Sequence, residues 1–228
     1  KLVTYADDST TLCSGPRIEP LCKALNGYLD TLNSWFQSRN LHISASKSMA
    51  TIFTTFSNEA SIKLPIFIEG TPVPTHKDPK ILGVILDPLL TFKNHAKCVK
   101  DKVNKRNNIL KALTGSAWGM NKEVLLTTHN AINKSVLSYC APIWTPSLSD
   151  TNWKDLQTSQ NAALRTALGC TRMTDIDRLH SEARVMPVKA HNEMLSKQFL
   201  LQTIRPNHPN PKDLNYVPPR TMKETLVS

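Results

Sequence analysis

Leu2-Val3-Thr4-Tyr5-Ala6-Asp7-Asp8-Ser9-Thr10-Thr11-Leu12-Cys13 sets two short apolar or β-branched runs on either side of adjacent carboxylates. Two such runs around acidic turn formers read as a β-hairpin with Asp7 and Asp8 at its tip. Like charges this close repel and raise each other's pKa unless a cation neutralises them. Mg²⁺ is the usual partner, bound by one or two carboxylates together with substrate phosphates. A solvated turn can carry the same two residues, so spacing alone leaves both readings open.

Beyond the hairpin, Ile18, Leu21, Leu25, Leu29, Leu32, Trp35 and Phe36 recur at helical spacing, and Pro20 sits where a first turn tolerates it. The pattern predicts an amphipathic helix of about 33 Å, with Trp35 and Phe36 packed in its core face. Met49 to Phe56, Ile62 to Ile68 and Ile81 to Leu86 read as short strands, the second confined to a sheet edge or loop by Pro65, Pro72 and Pro74. Hairpin, helix and further strands imply an α+β layer with the helix on one face of a sheet.

From Thr91 the strand pattern stops. Phe92, Ala96, Val99, Val103, Leu110 and Leu113 predict one helix closed by Gly115, and a second is expected from Lys122 to Cys140. A third is expected from about Ser149 to Gly169, a fourth capped by Thr174, and a fifth from Val188 to Leu201. Trp118, Trp144 and Trp153 read as core, as does Phe92. Pro206, Pro209, Pro211, Pro218 and Pro219 mark an extended tail.

A chain of 228 residues with 40% hydrophobic content can bury a core in one to two domains. No apolar run reaches the roughly 18 residues of a membrane span, so no membrane partner is expected. Five scattered cysteines, odd in number and never in C-x-x-C, fit a reducing compartment. His95-x-x-Cys98 is half of a zinc spacing, and no second pair lies at a usable distance. The N-terminus has neither an apolar leader nor an initiator Met, and reads as a point inside a longer polypeptide.

Charge is unevenly spread. Residues 1–90 carry eight basic and eight acidic side chains, so the net +10 belongs to residues 91–228. Residues 91–134 hold nine basic side chains, Lys93, Lys97, Lys100, Lys102, Lys105, Arg106, Lys111, Lys122 and Lys134, against Asp101 and Glu123. Such a stretch attracts a phosphate backbone by Coulomb steering and counterion release. The plainer alternative is a solvated helix face.

Several stretches together resemble one family, in order. Tyr5-Ala6-Asp7-Asp8 resembles the catalytic hairpin of reverse transcriptases. Asn40-Leu41-His42-Ile43 with Ser46-Lys47-Ser48 is similar to the motif that follows it in non-LTR (LINE-type) retrotransposons. Ile81-Leu82-Gly83-Val84-Ile85-Leu86-Asp87, Leu90-Thr91-Phe92 and His95 resemble the primer-grip segment of the same elements. Ser138-Tyr139-Cys140-Ala141-Pro142-Ile143-Trp144 and the run Leu156-Gln157, Gln160-Asn161, Leu164-Arg165, Gly169 are similar to the helical region behind the polymerase of jockey-like elements.

The resemblance implies a partial polymerase palm over residues 1–90, a basic helical thumb over 91–140, a helical C-terminal region over 141–204 and the Pro-rich tail over 205–228. It implies an RNA-directed DNA polymerase, with RNA template, DNA primer and dNTPs as partners. Asp7 would bind both catalytic Mg²⁺ ions and Asp8 would be a weaker or supporting ligand. Tyr5 and Ala6 would lie against the nascent duplex, and Lys47 near the incoming triphosphate. Ser46 and Ser48 flank Lys47 where the family usually has Thr, and a surface lysine in a loop is the other reading. Leu82 and Gly83 would approach the primer, although packing alone is an equal reason for that glycine. Lys93, Lys97, Lys100, Lys105 and Arg106 would hold the duplex by its phosphates.

Polymerases of this type need a further aspartate from a strand that precedes the hairpin. Fingers, the rest of the palm and an endonuclease domain of the same polyprotein are implied on that side, so the 228 residues alone are expected to be inactive. The strand Leu2 to Tyr5 would then be an open edge prone to aggregation. The implied compartments are the cytoplasm for assembly with RNA and the nucleus for target-primed reverse transcription. Two alternatives stand beside the enzyme reading: a non-catalytic nucleic-acid-binding module, and a decayed remnant of a retroelement.

Overall fold

A computed structural model describes residues 1–6, 8–115 and 119–205. They form two compact units of an α+β chain, the first comprising Lys1–Ile81 with Asp87–Leu90 and the second Leu82–Leu86 with residues 91–205. Trp118 and the Pro-rich tail from residue 206 onward lie outside the described residues.

In the first unit, β1 (Leu2–Tyr5) pairs antiparallel with β2 (Asp8–Thr11). Leu12 N donates to Lys1 O and Lys1 N donates to Leu12 O, both at 2.8 Å. Leu2, Val3, Tyr5 and Leu12 are all exposed. The core lies elsewhere, under α1 (Ile18–Gln37). There Cys22 packs with Ala50, Ile66, Ile68 and Val73, and Ile18, Leu25, Leu29, Ile43 and Leu64 close around them. β3 (Phe67–Ile68) and β4 (Thr71–Pro72) form a hairpin turned at Glu69 and Gly70. Both turn residues have positive φ, as a turn matched to strand twist demands.

Side-chain amides dock α1 onto this hairpin. Asn26 Nδ2 donates to Pro65 O at 2.9 Å while its Oδ1 accepts from Phe67 N at 3.0 Å. Asn33 and Gln37 both donate to the Glu69 carboxylate, and these bonds, that from Asn33 foremost, hold its pKa below the usual range.

Three expectations fail in this unit. Met49 to Phe56 is not a strand: Ala50 makes a single parallel bridge to Thr75, and beyond it Thr54 N turns instead to Pro88 O at 3.0 Å. Ile62 to Ile68 pairs as a strand only at its last two residues, because Pro65 interrupts the donors and Ile66 N turns back to Leu64 O. The strands therefore pair two by two instead of forming one sheet beneath the helix. Trp35 is not in the core; it is half exposed, with the Arg39 guanidinium 3.8 Å from its ring centroid. β5 (Lys80–Ile81) ends the first long segment.

The second unit begins with β6 (Val84–Ile85) and continues as helices. α2 (Lys93–Leu113) turns Ala96, Val99, Val103 and Leu110 inward. α3 (Lys122–His129) starts at Asn121, whose Oδ1 accepts from Val124 N at 2.9 Å. It runs into a π-helical turn, Asn130–Lys134, then α4 (Ser135–Ser138), so the helix expected to reach Cys140 stops two residues earlier. Pro142 lies within α5 (Ala141–Trp144), near its start.

α6 (Asp150–Leu168) runs from its Ser149 cap to Gly169, and buries Trp153, Leu156, Ala163 and Leu164. α7 (Ile176–Ala183) is capped by Asp175 and not by Thr174, because the Asp175 carboxylate accepts from Arg178 N at 3.1 Å. α8 (Val188–Thr203) completes the unit. α2 packs on α6 and α5 on α8, so helices on both sides of residue 140 share contacts. No helix among the described residues is long and apolar enough to cross a membrane.

Candidate catalytic hairpin and nucleic-acid interface

The hairpin register sets Tyr5 opposite Asp8. Tyr5 is two-thirds exposed and Asp8 is exposed. Ala6 follows Tyr5 at φ +53°, a left-handed conformation costing an L-residue about 1–2 kcal/mol. Asp7 lies outside the described residues. Mg²⁺ requires about six oxygen donors in near-octahedral array. Among the described residues no three His, Cys, Asp or Glu side chains cluster as a metal site, and Asp8 is the one carboxylate described at the hairpin. The described donors alone therefore do not make a Mg²⁺ site.

Lys47 sits in a tight turn. Ser44 O accepts from Lys47 N at 3.2 Å and from Ser48 N at 3.0 Å, and the Ser44 and Ser46 hydroxyls meet at 3.1 Å. The lysine side chain is exposed. The serines on either side of it thus serve the turn itself.

In the second unit, Leu82 and Gly83 form a turn with both φ values positive, +46° and +87°. Tyr139 covers it. Its hydroxyl donates to Leu82 O at 2.8 Å, and a Cβ on Gly83 would stand 3.2 Å from the Tyr139 ring. A local packing and backbone reason for Gly83 is therefore present. Two residues on, Ile85 N donates to His95 Nδ1 at 3.3 Å. Burial, reinforced by the charge of Lys102, pushes the His95 pKa down to about 4, which keeps this acceptor unprotonated at neutral pH.

α2 separates its basic residues by role. Lys93, Lys97 and Lys105 are exposed on the side of the helix away from the buried Val99 and Val103. Lys100 is ion-paired with Asp155 of α6 at 2.9 Å. The half-buried Arg106 guanidinium donates to Ile132 O in the π turn. Both cations thus fasten α2 to its neighbours. Sequence spacing gave no signal of this, since the partners lie 26 and 55 residues away.

The Gln157, Gln160 and Asn161 run also has local partners. Gln157 Nε2 donates to Asn161 Oδ1 at 2.7 Å and its Oε1 accepts from Val188 N at 2.9 Å. Gln160 Nε2 donates to Met186 O at 3.1 Å. His180 joins Asn161 at 2.9 Å and Val185 O at 2.8 Å. This face of α6 therefore pins the α7–α8 connection.

Similarity to known proteins points one way. The chain is 27% identical over 195 residues to a probable RNA-directed DNA polymerase from transposon BS of Drosophila melanogaster. It is 26% identical over 187 residues to a probable RNA-directed DNA polymerase from transposon X-element of the same fly. Each match covers 82% of this chain and 20% of the relative, so the chain spans about a fifth of their length. A third relative, the RNA-directed DNA polymerase from mobile element jockey of Drosophila melanogaster, is 32% identical over 94 residues, covering 41% of this chain and 10% of its own. The chain is thus similar to the reverse transcriptases of non-LTR retrotransposons. No family model matches, and no solved structure matches.

Proposed function

We propose that this chain acts within a non-LTR retrotransposon RNA-directed DNA polymerase, supplying the hairpin of a palm, a primer-holding turn and a basic thumb helix. The observation that carries the reading is the similarity over 82% of the chain to polymerases of that activity. In this reading residues 1–90 belong to the palm, 91–140 to the thumb and 141–204 to a helical region that buttresses it. Asp7 and Asp8 are this chain's carboxylates for the two Mg²⁺ ions, Asp7 the principal one. When bound, such ions activate an attacking oxygen and stabilise the leaving one.

Tyr5 and Ala6 face the nascent duplex, Lys47 the incoming dNTP, and Leu82 and Gly83 the primer. Lys93, Lys97 and Lys105 take the phosphates, a sequence-tolerant grip that suits a translocating enzyme. Lys100 and Arg106 contribute indirectly, by holding α2 in place. The work would be done on nuclear target DNA, after assembly with element RNA in the cytoplasm.

The 228 residues by themselves are expected to bind an RNA/DNA duplex without extending it, because two carboxylates are too few for a two-metal site. Fluorescence anisotropy with a labelled RNA-templated DNA primer, followed by dNTP and Mg²⁺ addition, tests both halves. Absence of duplex binding overturns the polymerase reading. Extension abolished by Asp7→Ala overturns the expected inactivity. The second reading, a binding module without chemistry, is favoured by the exposed lysines of α2, which need no help from the hairpin. It predicts the same affinity in Asp7→Ala within the complete polypeptide, with no loss of its biological activity.

A further inference from the structure

Around the turn at Leu82–Gly83 a closed circuit of contacts runs through the helical unit. The Tyr139 hydroxyl donates to Leu82 O at 2.8 Å, and the Tyr139 carbonyl accepts from Trp144 Nε1 at 2.9 Å. The Trp144 ring meets His95 edge-on, with centroids 5.6 Å apart. His95 Nδ1 then accepts from Ile85 N at 3.3 Å, returning to the same turn. Trp144 is fully buried and His95 nearly so, which fixes both anchors. Tyr139 is half exposed and reaches the turn from the residue just after α4.

His95 carries the link to α2. It lies between Lys93 and Lys97 in sequence but points inward, while those lysines are exposed. One stretch of helix therefore holds the turn on its buried side and offers cations on its outer side.

We propose that Tyr139 and His95 are positioning residues that lock the Leu82–Ile85 turn to α2, so that turn and lysines are held as one rigid body when a template–primer duplex binds. This rests on the reading of Leu82 and Gly83 as a primer contact. Tyr139 and His95 themselves need not touch nucleic acid. Their contribution is to spare the ordering cost that a loose turn would incur on binding.

Tyr139→Phe removes one hydroxyl from a half-exposed ring and leaves the core intact. Hydrogen exchange across residues 82–86 is expected to quicken by about fivefold in this variant, the scale of one net hydrogen bond, with α6 protection unchanged. Affinity for an RNA/DNA duplex should weaken by about the same factor at unchanged salt slope, because no phosphate contact is lost. His95→Ala should act alike on exchange, whereas His95→Gln, which keeps an acceptor for Ile85 N, should restore part of the protection.

Unchanged exchange at 82–86 in both Tyr139→Phe and His95→Ala overturns the positioning role. Faster exchange with undiminished duplex affinity overturns its link to binding. Failure of the unsubstituted chain to bind the duplex overturns the primer reading instead, and the exchange comparison still decides whether the turn is locked.

Discussion

Asn133 Nδ2 donates to Asn107 Oδ1 at 2.8 Å, joining the π-helical turn to α2 inside the helical unit. Asn133 is fully buried and Asn107 nearly so, and Asn107 Nδ2 goes on to donate to Ser159 O of α6 at 3.1 Å. Three helical segments therefore meet on two amides. A π turn adds a residue to a helical round, and such bulges often mark functional or specialised positions. Here it sets His129 and Asn133 on the same buried side.

Asn133→Leu should lower the unfolding free energy by about 2 kcal/mol, because it strands a buried acceptor on Asn107. In the double variant with Asn107→Leu the loss should be smaller than the sum of the singles, since neither partner of the Asn133–Asn107 bond is then left behind. Urea unfolding of the four proteins of the cycle measures the coupling, and strict additivity would refute it.

His95 and His129 are buried, and burial holds both pKa values near 4 against an ordinary 6.5. Unfolding frees them to take up protons once the pH drops below about 6.5. The share of stability that these two histidines control should therefore be full above that value, fall as the pH moves toward 4 and level off below it. Each imidazole contributes no more than about 3–4 kcal/mol to that fall. Denaturant titrations from pH 7.5 to pH 4 read the slope, and His129→Gln should reduce it.

Gly83 and Gly70 both have positive φ, but only Gly83 has a neighbour where a Cβ would go. Gly70→Ala should cost about 1 kcal/mol through the backbone alone. Gly83→Ala should cost more, because the Tyr139 ring must also give way. Equal losses in thermal unfolding would show that the ring yields freely.

Lys93→Ala, Lys97→Ala and Lys105→Ala should each lower the slope of log affinity against log salt by about 1 in duplex binding. Lys100→Ala should leave the slope almost unchanged and instead lose an ion pair worth about 0–1 kcal/mol, since its ammonium is engaged by Asp155. Equal slopes for all four variants would mean that α2 meets no phosphate through these side chains.

Local patterns in the chain were enough to place α2, α6 and α8, because apolar residues at helical spacing, a Ser149 cap and Gly169 are signals carried within a few residues. The antiparallel hairpin was readable for the same reason, but not its register: Asp8, expected at the tip with Asp7, is the first residue of β2 and pairs with Tyr5. The excess of positive charge after residue 90 needed only counting. Tertiary structure decided what depends on distant partners. Met49 to Phe56 has strand-forming side chains, yet its one bridge, to Thr75, is not extended, and Thr54 N bonds to Pro88 O, 34 residues on. Trp35 has core spacing, yet it is half exposed and Arg39 stacks on its ring. Of the basic residues on α2, only packing against α6 and the π turn separates Lys100 and Arg106 from the exposed lysines. Periodicity reports which side of an element is apolar; which groups meet across the fold is set by chain segments tens of residues apart, and that information is not local.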